Sequence, residues 1–373
     1  MCTVPSRYTF DIMKIGLIGL NQTGKTTLFD LLSGKKEGDI SSASKSAAST
    51  GTGMVPDERV DFLSEMYTPK KTTYARIEFT DIAGFTASDS QKTSGAAKFL
   101  NDVRPCDAIC HVLRGFESDS VFHDLESIDP LRDLILVESE MLLSDMELIE
   151  KRIERIKAGK KVAKELQEEI EFLEHVFSWL EGGGAIRDIE LSEGEKTTIR
   201  GYSFLTEKPR LTVVNISETQ WENKTFPNMD ELSAYCENHN IPIVLLSALT
   251  ELEISRLPDE DRLVFMEDMG ITQPGIYSLA AQAYGLLDLI SFFTVGADEV
   301  KAWTIENGTN ARKAAGKIHT DIERGFIRAE VTKYSDLFEM GSMVKLKEKG
   351  LFRLEGKEYM VADGDIINFR FNV

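Results

Sequence analysis

The feature that most constrains this chain is the eight-residue segment Gly19, Leu20, Asn21, Gln22, Thr23, Gly24, Lys25 and Thr26, which fits G-x-x-x-x-G-K-[ST]. It follows the apolar run 15–18, which reads as a buried strand. It precedes Leu28, Phe29, Leu31 and Leu32, which suit a helix packed on a sheet, and Gly34 is placed to end that helix. Glycines at both ends let the backbone wrap a phosphate with its N–H groups, while the following helix turns its positive end to the anion. Asn21, Gln22, Thr23, Gly24, Lys25, Thr26 and Thr27 are therefore the candidate phosphate-binding residues. Lys25 is expected to reach the β and γ phosphates and act in catalysis, and the Thr26 hydroxyl to hold Mg²⁺. The alternative, a glycine-rich turn without a ligand, fits the strand–loop–helix placement poorly.

Residues 74–82 alternate as a strand and end at Asp81, Ile82, Ala83 and Gly84. An Asp there holds Mg²⁺ through water, and Gly84 offers its N–H to a γ-phosphate. Ras-like enzymes follow that Gly with a Gln that orients water; here stands Phe85, so another group must position the nucleophile. Buried strands are expected at 108–113, 210–214 and 241–246, alternating with helical segments, which implies a mostly parallel α/β sheet. Residues 35–53, rich in Ser, Ala and Thr, read as a loop. From 130 to 180 the pattern is helical. One stripe runs through Ile135, Leu142, Ile149 and Ile156, flanked by Leu134, Met141 and Leu148. A second runs through Val162, Leu166, Ile170, Leu173, Phe177 and Leu180. The break at 157–161 makes these an antiparallel helical hairpin, and Gly182, Gly183 and Gly184 stop it. From about Asp288 short alternating runs (327–331, 343–346, 366–371) suggest a small sheet-rich α+β domain.

A chain of 373 residues predicts two or three domains. No apolar run approaches a membrane span and the N-terminus lacks an h-region, so a cytoplasmic protein without a membrane partner is expected. Cys2, Cys106, Cys110 and Cys236 complete no zinc pattern and read as thiols. The net charge of −19 argues against nucleic acid on average, but it is uneven. Residues 151–164 hold seven basic side chains, Lys151, Arg152, Arg155, Lys157, Lys160, Lys161 and Lys164, against the single acid Glu154. A basic tip on a helical arm suits an RNA phosphate backbone. It also suits the cation preference of a helix C-terminus, and both readings stand.

GTPases read guanine with N-K-x-D after a buried strand; here Asn215, Ile216, Ser217 and Glu218 follow the strand, without the Lys and with Glu for Asp. With that motif the chain resembles the YchF (Obg-like ATPase) family of translation-factor-class P-loop proteins. The matching stretches include VPDERVDFL at Val55, IEFTDIAGF at Ile77, DAICHVLRGFE at Asp107 and SFLTEKP at Ser203. AAGKIHTDIERGFIRAEV at Ala314 and DGDIINFRFNV at Asp363 complete the set, and the likeness covers residues 13–373.

Residues 1–13, ahead of the first apolar run, read as an N-terminal extension, and the resemblance implies a P-loop NTPase G domain (14–125 and 205–287). It implies an inserted coiled-coil domain (126–204) and a C-terminal β-grasp TGS domain (288–373). It implies a preference for ATP over GTP through Asn215 and Glu218, with Ile216, Ser247, Ala248 and Leu249 framing the base, and makes His123 the catalytic candidate. A hydrophobic residue at the Phe85 position is a family trait. The chain departs from the family's GLPNVGKS loop at residues 21–23, from its first-switch Thr near Lys45, and from its Gly-rich second switch at 86–95. Two functional readings follow. One is a slow ATPase switch on the ribosome, gripping rRNA or tRNA. The other is a non-catalytic nucleotide-sensing module recruiting a protein partner through the TGS domain, or a GTP-binding protein.

Overall fold

The computed structural model describes residues 13–34, 49–86, 93–159 and 163–372. The chain begins with β1 (Lys14–Ile18), α1 (Lys25–Leu32), β2 (Ser49–Val55), α2 (Glu58–Tyr67), β3 (Lys71–Thr73), β4 (Ala75–Asp81), α3 (Thr93–Val103) and β5 (Ala108–Arg114). Two long helices follow, α4 (Pro130–Lys157) and α5 (Lys164–Glu181), then a 3-10 turn (Ile186–Asp188) and α6 (Glu193–Arg200). Next come β6 (Arg210–Asn215), α7 (Glu218–Asn223), α8 (Met229–Asn238), β7 (Ile243–Leu246), α9 (Ala248–Arg256), α10 (Asp259–Asp268) and α11 (Gly275–Leu286). The C-terminal part holds β8 (Leu289–Thr294), β9 (Glu299–Glu306), α12 (Ala311–Ile318), α13 (Thr320–Arg324), β10 (Phe326–Lys333), α14 (Tyr334–Met340), α15 (Met343–Glu348), β11 (Arg353–Glu355) and β12 (Asp365–Phe371).

The described residues fall into two compact units, one within 14–51 and 79–279 and the other within 52–78 and 280–372 together with Met13. The first holds β1, β5, β6 and β7 of a six-stranded sheet of order β2-β4-β1-β5-β6-β7. Strands β1, β5, β6 and β7 pair in parallel. Every residue of β5 and β6 is buried, as expected of strands covered on both faces. The parallel register sets Asn215 opposite Arg114 and Leu246, so the carboxyl ends of β5, β6 and β7 come together, where ligands of open α/β sheets bind.

Helices α4 and α5 pack as the expected hairpin: Leu134, Met141, Ile149 and Ile156 are buried and Leu142 and Leu148 pack beside them, while Val137 joins the line and Ile135 leaves it, 41% exposed. A strict seven-residue row drifts by about 20° per heptad around a straight helix, so it cannot keep facing one partner. The helix in fact serves two cores. Val137 and Met141 pack with Ile18, Ile82, Phe85 and Phe99 beside the sheet, while Ile149 packs with Leu173, Val176 and Leu180 of α5. Between them the buried Asp145 accepts the N–H groups of Leu205 and Thr206 at 3.0 and 2.7 Å, tying the helix to the chain entering β6. Val162 lies outside the described residues.

The second unit holds a sheet of order β11-β10-β12-β8-β9-β3. The β8–β9 hairpin is antiparallel, β12 runs parallel to β8, and β10 pairs antiparallel with β12 and β11. With α12 across its face, that is the β-grasp arrangement. The helix offers Ala311, Ala314 and Ala315 to Phe292, Val331 and Phe369, small residues that let helix and sheet approach closely. Strand β3 adds to the far edge, in parallel with β9. Arg59 of α2 joins Asp363 at 2.6 Å and lies over the Phe293 ring, 5.0 Å from its centre.

Two sequence expectations are corrected. Residues 343–346 are helical, in α15, because Ser342 caps the turn by accepting the Val344 N–H at 3.2 Å. The loop expected at 35–53 ends earlier, since 49–53 enter β2 at the sheet edge, where backbone pairing compensates for few apolar side chains; residues 35–48 lie outside the described residues. Cys106, Cys110 and Cys236 are buried and, among the described residues, form no disulfide. Among the described residues no helix is long and apolar enough to cross a membrane.

Candidate functional site

The phosphate loop leaves β1 and enters α1 at Lys25. Gly24 caps that helix in the left-handed region (φ 93°), without a side-chain cap and with no acidic residue in the first turn, so the free N–H groups of α1 keep their positive end for an anion. A side chain at Gly24 would also strike the Asn215 amide. Gln22 adopts φ 60°, an uncommon conformation for a residue with a β-carbon, and completes the loop's curl. Lys25 is almost fully buried, and its Nζ donates to the carbonyls of Gly19 at 3.1 Å and Leu20 at 2.6 Å. Burial lowers its pKa to about 8, against the pull of the Asp81 and Asp124 carboxylates. Among the described residues the hydrogen-bond partners of Lys25 are these carbonyls, and a phosphate would supply the counter-charge.

The two residues expected to hold Mg²⁺ meet: Thr26 Oγ1 donates to Asp81 Oδ2 at 3.0 Å. A hydroxyl and a carboxylate converging beside the anion site form the hard oxygen donor pair that Mg²⁺ favours. Next to them the chain after β4 lies against the loop. Phe85 N–H donates to Gly19 O and Asn21 N–H to Phe85 O, both at 3.1 Å. Gly84 is needed there, because a β-carbon would overlap Asn21 Oδ1. The Phe85 ring is buried, 5.3 Å from Phe99, so it faces the core. Thr23 is buried and donates to Leu20 O at 3.2 Å; Asn21 and Thr27 are half-buried, and Gln22 is exposed.

Asn215 links three segments. Its Nδ2 donates to Thr23 O at 2.9 Å, and its Oδ1 accepts the Ala248 N–H at 3.0 Å. Ile216 is buried and donates its N–H to Leu246 O at 2.9 Å, while Ser247 caps α9. Glu218, at the first turn of α7, and Leu249 are exposed. Sequence reasoning missed Glu251, which accepts the N–H groups of Gly275 and Ile276 at 2.7 and 3.1 Å and so anchors α9 to the start of α11. Burial pushes its carboxyl up to about 7.

His123 is buried rather than solvated. Its Nδ1 accepts the Leu125 N–H at 3.1 Å, and Nε2 lies 3.1 Å from Asp133 Oδ2. Sequence reasoning missed Asp133, in the first turn of α4, whose signal was only its place after Asp129 and Pro130. Arg114 also escaped notice; it donates to the carbonyls of Phe116, Val121 and Phe122 and so shapes the loop that carries His123.

At the hairpin tip the cations are mostly matched. Lys151 pairs with Glu147, Arg152 with Glu169, Lys157 with Glu174 and Lys164 with Glu168. Arg155 is exposed and forms no ion pair among the described residues; Lys160 and Lys161 lie outside them.

The chain is 40% identical over 365 residues to "Ribosome-binding ATPase YchF" of Haemophilus ducreyi, covering 96% of this chain and 99% of that one. It is 39% identical to the protein of that name from Bacillus subtilis, with the same coverage. This chain belongs to the YchF family. The solved Schizosaccharomyces pombe YchF GTPase superposes with a TM-score of 0.85 at 30% identity, over 96% of this chain and 98% of that one. Residues 14–143 match a family described as a 50S ribosome-binding GTPase. Residues 289–372 match the YchF-GTPase C-terminal family, described as a protein of unknown function. The P-loop, the parallel sheet and the β-grasp domain are thus the YchF arrangement.

Proposed function

We propose that this YchF protein binds ATP with Mg²⁺ at residues 19–27, hydrolyses it slowly, and uses it as a switch on the ribosome in the cytoplasm. The observation that carries the reading is the convergence of the buried Lys25, the open N-terminus of α1 and the Thr26–Asp81 pair on one anion site. Thr26 and Asp81 would hold Mg²⁺, which withdraws charge from phosphate oxygens when bound. Lys25 would exchange its carbonyl partners for the β and γ phosphates, and the Gly84 N–H would face the γ-phosphate.

Both amide ends of Asn215 are engaged by the protein, so it shapes the base site, and discrimination falls to the exposed Glu218 carboxylate. A carboxylate accepts amino hydrogens of either base, so the preference rests on the missing Lys after Asn215, which would lie along a guanine, and on Glu standing in place of the Asp of that motif. Relatives differ in name on this point: the curated ones are called ATPases and the solved yeast protein a GTPase. Titration of ATP against GTP, followed by turnover with and without ribosomes, tests the reading. ATP should bind more tightly, and ribosomes should raise turnover. Tighter GTP binding, or turnover indifferent to ribosomes, would overturn it.

A second reading, a nucleotide-sensing module that does not hydrolyse, is favoured by one observation. Both ring nitrogens of His123 are engaged away from any phosphate, and Phe85 offers water nothing. In that case the β-grasp domain would recruit a protein partner. A measurable ATPase rate lost in His123→Ala separates the two in favour of the switch.

A further inference from the structure

We propose that Asp133 is a positioning residue that parks His123 on the first turn of α4, so that a load on the helical arm regulates hydrolysis at the P-loop. This rests on the reading of His123 as the hydrolytic group and adds what holds it back. The hydrogen bonds fix its state. Since Nδ1 accepts the Leu125 N–H, it carries no proton; Nε2 therefore carries it and donates to Asp133 Oδ2. A ring so engaged has neither a free N–H for a phosphate oxygen nor a free lone pair to orient water.

The parking place is built. Asp133 is fully buried, and its other oxygen, Oδ1, accepts Arg132 Nε at 3.0 Å and Nη2 at 2.8 Å. Arg132 also donates to Ser127, through its Oγ at 2.7 Å and its carbonyl at 2.8 Å, so carboxylate, guanidinium and loop form one unit. Burial pushes the Asp133 carboxyl up, while Arg132 and then His123 pull it back down, so the pair is what makes a charge there tolerable. The loop also lies within electrostatic reach of the phosphate site: the charge of Asp124, the next residue, acts on Lys25.

What Asp133 belongs to gives the pairing its consequence. Helix α4 runs unbroken for 28 residues from this turn to the basic tip, about 42 Å at 1.5 Å per residue. Its inner half packs in the same cluster as Phe85, the residue that closes onto the phosphate loop. A shift or rotation of the arm at its base therefore moves the acceptor of His123 relative to the loop. One hydrogen bond to a carboxylate, with Arg132 left to satisfy the acid, is a contact that such a shift can exchange.

The test is steady-state ATP turnover by the full chain, with and without ribosomes, for wild type, Asp133→Asn, His123→Ala and the double variant. Asp133→Asn should raise the ribosome-free rate by about tenfold, the worth of one hydrogen bond to a charged group. It should leave KM for ATP unchanged and shrink the ribosome stimulation in proportion, and the double variant should fall to the His123→Ala rate. The His123 C2 proton should exchange faster with solvent in Asp133→Asn. A ribosome-free rate unchanged or lowered while that exchange quickens overturns the proposal, as does a rise that persists without His123. If His123→Ala turns over like wild type, the catalytic assignment itself fails, and the regulatory consequence with it. Where Asp133→Asn does not fold, Arg132→Gln, at a partly exposed position, leaves the buried acid with His123 as its remaining partner and should lower the ribosome-free rate instead; a rise there overturns the proposal.

Discussion

The chain offers two places where cations could meet a phosphate, and they are built in opposite ways. Lys25 is one charge, buried, held by two carbonyls, with its pKa drawn down to about 8. The hairpin tip is several exposed charges; among the described residues Lys151, Lys157 and Lys164 each pair with a glutamate on the same arm. The first is a site waiting for an anion at a fixed point. The second is a surface whose ion pairs are each worth little and exchange readily. Arg152 belongs to neither kind, because its guanidinium joins Glu169 and Tyr202 between the helices and is part of the hairpin's own structure. A count of basic residues treats all of these alike; burial and partners separate them.

The sharpest way to break the contrast is Lys25→Ala. ATP affinity should fall by about 100-fold or more, the loss of charge-assisted bonds in a buried site. The ligand-free protein should become more stable. The folded pKa of about 8 lies below the ordinary 10.5, so at neutral pH the protonated lysine is held at a cost on the order of 3 kcal/mol. Isothermal titration and denaturant melts of the same samples read both effects. A variant that loses stability without nucleotide would show that Lys25 is not strained by burial.

Arg152→Ala should cost about 1–3 kcal/mol of hairpin stability, because Glu169 loses its partner. Ribosome affinity should change little at temperatures where the arm stays folded; hydrogen exchange of α4 and α5 beside a binding assay checks this. Arg155→Glu with Lys157→Glu should weaken ribosome or RNA association by several-fold at 100 mM salt and flatten its salt dependence, leaving stability nearly unchanged. Equal binding by the double variant would remove the tip from the interface.

The smallest expected effect is on pH. A phosphate favours protonated Lys25, so ATP affinity should be level below the lysine's folded pKa of about 8 and decline as pH rises through it, with proton uptake on binding. Titrations in buffers of different ionisation enthalpy measure that uptake. Affinity flat from pH 7 to 9 would mean the lysine remains charged throughout.

Much of this was legible in the sequence for local reasons. A phosphate loop is contiguous, and a strand, a turn and a helix start suffice to specify it, so residues 19–27 were read directly. Strands buried on both faces are apolar throughout, which made β1, β5 and β6 visible. The short runs of the β-grasp domain show only that it is sheet-rich, and its fold follows from the resemblance. What escaped was long-range. The side chains of Asp133, Asp145 and Glu251 are carboxylates whose meaning lies in distant backbone or a distant histidine, and nothing in their neighbours announces burial. Helix α15 was misread because four alternating residues fit strand and helix equally well until Ser342 caps them.

Periodicity and backbone geometry over a few residues thus suffice for the buried strands, the long helices and the anion-binding loop that joins the first strand to the first helix, but not for short runs such as 343–346. Only the tertiary structure decided which charges are poised and which are neutralised. Desolvation and hydrogen bonding depend on what packs around a side chain. That is why Lys25 lies buried on carbonyls, why Lys151, Lys157 and Lys164 face glutamates, and why His123 rests on a helix whose far end is the arm's tip.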